Sequence, residues 1–205
     1  MKLEKEITVL VNTDYETLHK KLIENNFKIK EKFDLNDIYM IHKDVDIENI
    51  SKLDVLKQCI LVRDVVGYGK YLTYKYKKYA PNGDILEQGK TECEINNIDE
   101  AVKFMEAINY KILFKIYDKC IVYANETTEF AVQLVNDKYI FIELEDKCNH
   151  IDRTYNEIEE MKNDLDSYNL PYDKDNYFVK KAELILNETL EKNKQKRYYK
   201  RSLYE

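Results

Sequence analysis

Five stretches of this sequence alternate charged and apolar residues with a period of two, and each gathers its charges on one side. In MKLEKEITVLV, Glu4, Glu6 and Thr8 share one face, opposite Ile7 and Val9. CILVRD sets Ile60 and Val62 against Leu61 and Arg63, and YLTYKYKKY aligns Thr73, Lys75 and Lys77. KTECEI aligns Lys90, Glu92 and Glu94, and YIFIELE opposes Glu143 and Glu145 to Ile140, Ile142 and Leu144. A strand sends successive side chains to opposite faces, so these are two-faced strands. The amphipathic helical stretches between them need an apolar surface to cover, which places the helices outside. If the sheet closes, its charged faces line the interior and invert the usual oily core. Parity alone is equally satisfied by an open sheet with a solvated charged face.

The order of elements favours antiparallel over parallel pairing. TDYETLHKKLIENNF has a capping-box spacing from Thr13 to Glu16 and apolar residues at helical intervals. DIYMIHK is a short strand, and Ser51 to Lys57 makes one or two helical turns. CILVRDV and YLTYKYKKYA flank Gly67-Tyr68-Gly69, a hairpin loop, and PNGD at 81–84 turns the chain into ILEQGKTECEI. After the helix DEAVKFMEAIN, the strands YKILFKIYDKCIVYA, EFAVQLV and KYIFIELE follow. About eight strands joined mostly by tight turns predict an α+β domain built on an antiparallel sheet or β-barrel rather than a parallel sheet. Ile151, Tyr155, Ile158, Met161 and Leu165 form a helical stripe, and a second helix spans about 176–192. The expected organisation is one domain over 1–205: barrel 1–145, C-terminal helices 150–195, and a basic tail 192–205 that is solvated or frayed.

With 33 Lys+Arg against 39 Asp+Glu, the net charge of −6 argues against a general nucleic-acid binder. No apolar run reaches the length of a membrane span, and the charged N-terminus is not a signal peptide, which together predict a cytoplasmic protein. Cys59, Cys93, Cys120 and Cys148 are far apart, and His19, His42 and His150 lack ligand spacing, so neither set predicts a metal site.

The glutamates do. Carboxylates at i and i+2 on a strand are about 6 to 7 Å apart and repel by roughly 2 to 3 kcal/mol at an effective dielectric near 20. Three Glu-x-Glu pairs facing one cavity raise their own pKa values or gather cations. Oxygen-only donors suit Mg2+ or Mn2+, and nearby Lys or Arg then hold an anion bridged by the metal.

In this pattern the chain resembles the CYTH superfamily, also called triphosphate tunnel metalloenzymes, over about residues 1–145. The family's E-x-E-x-K opening is matched by Glu4 and Glu6, with Thr8 in place of lysine; D-x-Y by Asp37 and Tyr39; L-R-I-R by ILVR, which keeps Arg63 and has Leu61 at the first arginine. L-T-x-K is matched by LTYK, ending at Lys75, basic-x-E-x-E by Lys90, Glu92 and Glu94, and the closing E-x-E by Glu143 and Glu145.

The resemblance implies an eight-stranded antiparallel tunnel acting on a small phosphorylated substrate, as a monomer or homodimer. It implies metal on Glu4, Glu6, Glu143 and Glu145, with Mg2+ or Mn2+ as cofactor, and phosphates on Arg63, Lys75, Lys77 and Lys90. Glu92 and Glu94 would support metal or water, and Glu6 and Lys75 would be central to catalysis. The implied activity is metal-dependent hydrolysis of inorganic triphosphate, thiamine triphosphate or a nucleoside triphosphate. A class IV adenylyl cyclase and a degenerate tunnel that only binds a phosphorylated ligand are the alternatives. The family's K-x-R strand falls on Asp118 and Cys120, whereas a one-residue register shift would turn Lys115 and Lys119 inward as phosphate ligands. If these lysines face out, three basic positions are lost. At roughly 1.5 to 3 kcal/mol each, that weakens triphosphate binding by several orders of magnitude.

Overall fold

A computed structural model describes residues 3–81 and 85–202. The strands are β1 (Leu3–Glu4), β2 (Glu6–Leu10), β3 (Lys28–His42), β4 (Ile60–Val65), β5 (Gly69–Tyr79), β6 (Ile85–Glu94), β7 (Tyr110–Ala124), β8 (Glu129–Val135) and β9 (Tyr139–Glu145). The helices are α1 (Tyr15–Glu24), α2 (Lys52–Lys57), α3 (Ile98–Ala107), α4 (Ile158–Ser167) and α5 (Lys181–Ser202). All strands are antiparallel neighbours in one sheet of order β1-β6-β5-β4-β3-β7-β8-β9-β2.

β1 and β2 are one N-terminal run interrupted at Lys5, so the wall has eight staves. Leu3 and Glu4 pair with Gly89 and Gln88 on one edge of the sheet, and Glu6 to Leu10 pair with Glu145 to Phe141 on the other. One short run thereby joins both edges, and the sheet closes on itself. Beyond the break the free side of β2 is covered by the chain at 171–179. Thr8 exchanges backbone hydrogen bonds with Tyr177 and Val179, and Asp173 donates its N–H to the Leu10 carbonyl. That segment acts as a partial extra stave.

The outward apolar residues meet the helices as the alternation requires. Ile7 and Val9 pack with Leu18 and Leu22 of α1 and Met161 and Leu165 of α4. Val62 and Met40 pack under Ala101 and Met105 of α3. The lumen divides into two chemically distinct halves. At one end Tyr39, Leu61, Phe114, Ile116 and Phe141 fill it as an ordinary apolar core, capped by Val55 of α2 and Ile185 and Leu186 of α5. The charges occupy the other half.

Several boundaries differ from the sequence expectation. β3 begins at Lys28, well before DIYMIHK: its first half sets Lys28, Lys30, Lys32 and Asp34 on one face against Ile29, Phe33 and Leu35 on the other, an alternation that Glu31 interrupts on the apolar side. Asp14, not Thr13, caps α1 and accepts the Thr17 N–H at 2.8 Å. The stripe from Ile151 is helical only from Ile158; before it, Thr154 bridges to Lys147 and Tyr155 donates its N–H to the Asp146 carbonyl. α5 starts at Lys181 rather than near 176, since residues 171–179 are engaged as the extra stave, and it runs on through the basic tail to Ser202. Most of the PNGD turn, 82–84, lies outside the described residues.

Candidate active site

Registers fix which side chains meet inside. Across β4, β5 and β6, Arg63 lies opposite Tyr71, Thr73 opposite Glu92, Lys75 opposite Lys90 and Lys77 opposite Gln88. On the facing wall Glu6 is opposite Glu145, and Thr8 and Ala131 flank Glu143. A cavity of about 430 Å³ is lined by Glu4, Glu6, Arg63, Lys75, Lys77, Lys90, Glu143 and Glu145, among others. The expected metal and phosphate residues of these strands therefore converge on one space.

β7 departs from that expectation. It pairs Leu35 with Asp118 and Phe33 with Cys120, and its outward side carries Lys115, Tyr117 and Lys119, all exposed. Lys119 spends its charge on Asp137 at 2.9 Å on the surface. Lys115 and Lys119 are therefore not phosphate ligands, because a shift to bring them in would expel Phe114, Ile116 and Cys120 from the buried face. Glu92 is held by Thr73 (3.0 Å) and Lys90 (3.0 Å), and neither it nor Glu94 lines the cavity.

One inward cation comes from a place without a motif. Lys181, the first residue of α5, reaches into the lumen and donates to Asp118 Oδ2 (2.7 Å) and Gln133 Oε1 (2.8 Å). Its only sequence signal is a lysine ahead of the apolar turn Ile185-Leu186, too ordinary to single out.

Burial and charge set the electrostatics. Arg63 forks onto both oxygens of Asp37 at 2.7 Å, an attraction that outweighs burial and keeps the Asp37 carboxyl below its usual range. Lys77 sits 3.9 Å from Glu6, to which Gln88 also donates. Among the described residues Lys75, which projects from the middle of β5, has no hydrogen-bond or ion-pair partner. Burial, reinforced by the Arg63 charge, pulls it down to about 8. Glu6 is raised by burial and then by Glu143. Glu145 keeps solvent contact at the open end, yet the protein packed around it, and then the charges of Glu143, Glu6 and Glu4, push it up to about 8.

No protein-family model matches the sequence, and no curated protein does. Solved structures share the architecture. PH1819 from Pyrococcus horikoshii OT3 is 20% identical, with a TM-score of 0.61 over 90% of this chain and 99% of that one. HpAC1 from Hippeastrum, a candidate adenylyl cyclase described as having a dominant triphosphatase activity, is 14% identical, with a TM-score of 0.56 over 88% and 93%. A candidate adenylate cyclase from Vibrio parahaemolyticus is 9% identical, with a TM-score of 0.54 over 84% and 93%. The chain shares the antiparallel tunnel fold of these structures. At these identities the likeness is one of fold.

A divalent cation is the group such a tunnel implies. In this tunnel the donors suit it: Glu6, Glu143 and Glu145 bring carboxylate oxygens together, and burial first, then the neighbouring carboxylates, raises Glu6 and Glu145 above the usual carboxylate range, the condition a hard cation relieves. They are not drawn into a ready-made shell. Among the described residues no three His, Cys, Asp or Glu side chains stand at metal-holding separation. Glu4 and Glu6 lie either side of the Lys5 break, which is also where the ring closes.

Proposed function

We propose that this chain is a metal-dependent phosphohydrolase acting on a small triphosphate-containing substrate, as a cytoplasmic monomer or homodimer. The observation that carries this reading is the pairing, within one cavity, of an unpartnered half-buried lysine, Lys75, with a cluster of self-repelling carboxylates. An anion brought in with a divalent cation satisfies both at once. Lys75, with Arg63 and Lys77 beside it, binds and orients the phosphate chain; Glu4, Glu6, Glu143 and Glu145 would hold Mg2+ or Mn2+. That metal, when bound, supplies electrostatic stabilisation and water activation. Lys75, which burial pulls down to about 8, would hold or release a proton at Nζ beside the departing phosphate. The apolar half of the lumen excludes water from one side of the site.

The test is phosphate release from tripolyphosphate, thiamine triphosphate and ATP with Mg2+ and Mn2+, in wild type and Glu6→Gln. Release from one of them, lost in the variant, is the expected result. Conversion of ATP to cyclic AMP and pyrophosphate instead would assign a cyclase.

One observation favours a second reading. Arg63, Lys77, Lys90 and Lys181 each already carry a carboxylate partner, so the tunnel is largely charge-balanced without a substrate. A protein that binds a phosphorylated ligand without turnover would be stabilised by tripolyphosphate and release no phosphate.

A further inference from the structure

We propose that Asp118 is a built-in counter-anion that competes with substrate for Lys181 and thereby lowers the affinity of the tunnel for highly charged phosphates; this rests on the reading of the cavity as a phosphate site. Asp118 is 2% exposed and projects from β7 into the lumen. Its cross-strand neighbours are Leu35 and Val135, which offer no polar group to share its charge. Oδ2 takes the Lys181 ammonium at 2.7 Å, and among the described residues Oδ1 receives only the weak thiol donor of Cys120 at 3.4 Å. Asp37, by contrast, is neutralised at both oxygens by Arg63.

Lys181 is equally dependent on Asp118. It opens α5, where a positive charge meets the positive end of the helix dipole. Glu183 in the first turn is the helix's own acidic residue, but the groups that Nζ touches lie across the lumen: the Asp118 carboxylate at 2.7 Å and the amide oxygen of Gln133 at 2.8 Å. A phosphate oxygen that takes the Asp118 position on Nζ leaves the displaced carboxylate buried beside it. The repulsion grows with ligand charge. Orthophosphate is penalised least and tripolyphosphate most, so Asp118 sets specificity by charge while touching substrate only through Lys181.

The experiment is calorimetric titration of tripolyphosphate and orthophosphate, with Mg2+, into the full chain as wild type, Asp118→Asn, Gln133→Glu and the double variant Asp118→Asn with Lys181→Gln. Asp118→Asn keeps the shape and removes the charge. It should tighten tripolyphosphate on the order of tenfold, as expected of coupling between two sites, and orthophosphate less. Gln133→Glu gives Lys181 a second carboxylate and should weaken tripolyphosphate. The double variant should lose the gain, which a merely structural role for Asp118 does not predict.

A folded Asp118→Asn with unchanged or weaker affinity overturns the proposal, as does a gain that persists without Lys181. If Asp118→Asn does not fold, Gln133→Glu decides alone: unchanged or tighter binding overturns it. A wild type that hydrolyses tripolyphosphate but ignores these substitutions removes the role of Asp118 and leaves the proposed activity standing. A wild type that neither binds nor hydrolyses, with affinity appearing in Asp118→Asn, removes the activity and keeps the role. Silence in every form removes both.

Discussion

Lys75 is held charged at neutral pH at a cost to the free protein. Its unfolded value is 10.5 and its folded value about 8, so both states are protonated at pH 7 and the full penalty of burial is present. Above pH 8 the folded protein loses a proton that the unfolded chain keeps until about 10.5, and stability from this group rises with pH across that window. Discounted for partial exposure, the penalty at pH 7 is about 2 kcal/mol. Lys75→Met should therefore stabilise the free protein by about that amount at pH 7 while abolishing phosphate release. Denaturant unfolding at pH 7 and pH 10.5 checks it. A variant less stable than wild type at pH 7 would mean that Lys75 has an anionic partner in the free protein. Lys75 was legible in the sequence because three inward residues at period two, Thr73, Lys75 and Lys77, sit in a recognisable strand. Lys181 was not, because nothing local marks a helix-opening lysine as pointing into a barrel toward a partner, Asp118, 63 residues earlier in the chain.

At the scale of elements, β7 and α5 determine what kind of tunnel this is. The sequence left the register of β7 open between two faces, one offering Lys115 and Lys119, the other Asp118 and Cys120. Packing decides it: Phe114 and Ile116 lie on the same face as Asp118 and are needed in the apolar half of the lumen. The strand cannot bury these and also turn its lysines inward. α5 closes that half with Ile185 and Leu186, which are 4% and 0% exposed. Leu186→Ala should cost about 2 to 4 kcal/mol, the range for emptying a fully buried leucine site. Because α5 also carries Lys181, the same substitution should weaken tripolyphosphate binding as well as lower the melting temperature. Loss of stability with unaltered affinity in the folded fraction would separate the apolar cap from the site. The periodicity announced the strands, α1 and α3 well. It could not announce the stave at 171–179, whose backbone pairing with β2 uses few patterned side chains.

For the whole molecule, the charged half of the lumen is a balance that solution conditions tip. Glu6 and Glu145 hold protons in the folded state that the unfolded chain gives up near pH 4.5. Their contribution to stability is complete below that pH and is lost as pH rises through about 8, the folded value of Glu145. Above pH 8 the Lys75 contribution runs the other way, so a metal-free protein passes through a shallow minimum of stability near pH 8. A divalent cation competes with those same protons. It binds the deprotonated carboxylates, and its stabilisation grows as protons leave, approaching about 2.7 kcal/mol when the free ion exceeds its dissociation constant a hundredfold. The increase in melting temperature on adding Mn2+ should therefore be small at pH 5.5 and large at pH 8.5, reversed by EDTA, and reduced in Glu145→Gln at the higher pH. An equal shift at both pH values, or one untouched by Glu145→Gln, would place the cation away from this cluster, because only carboxylates that exchange protons for metal in that interval produce the difference.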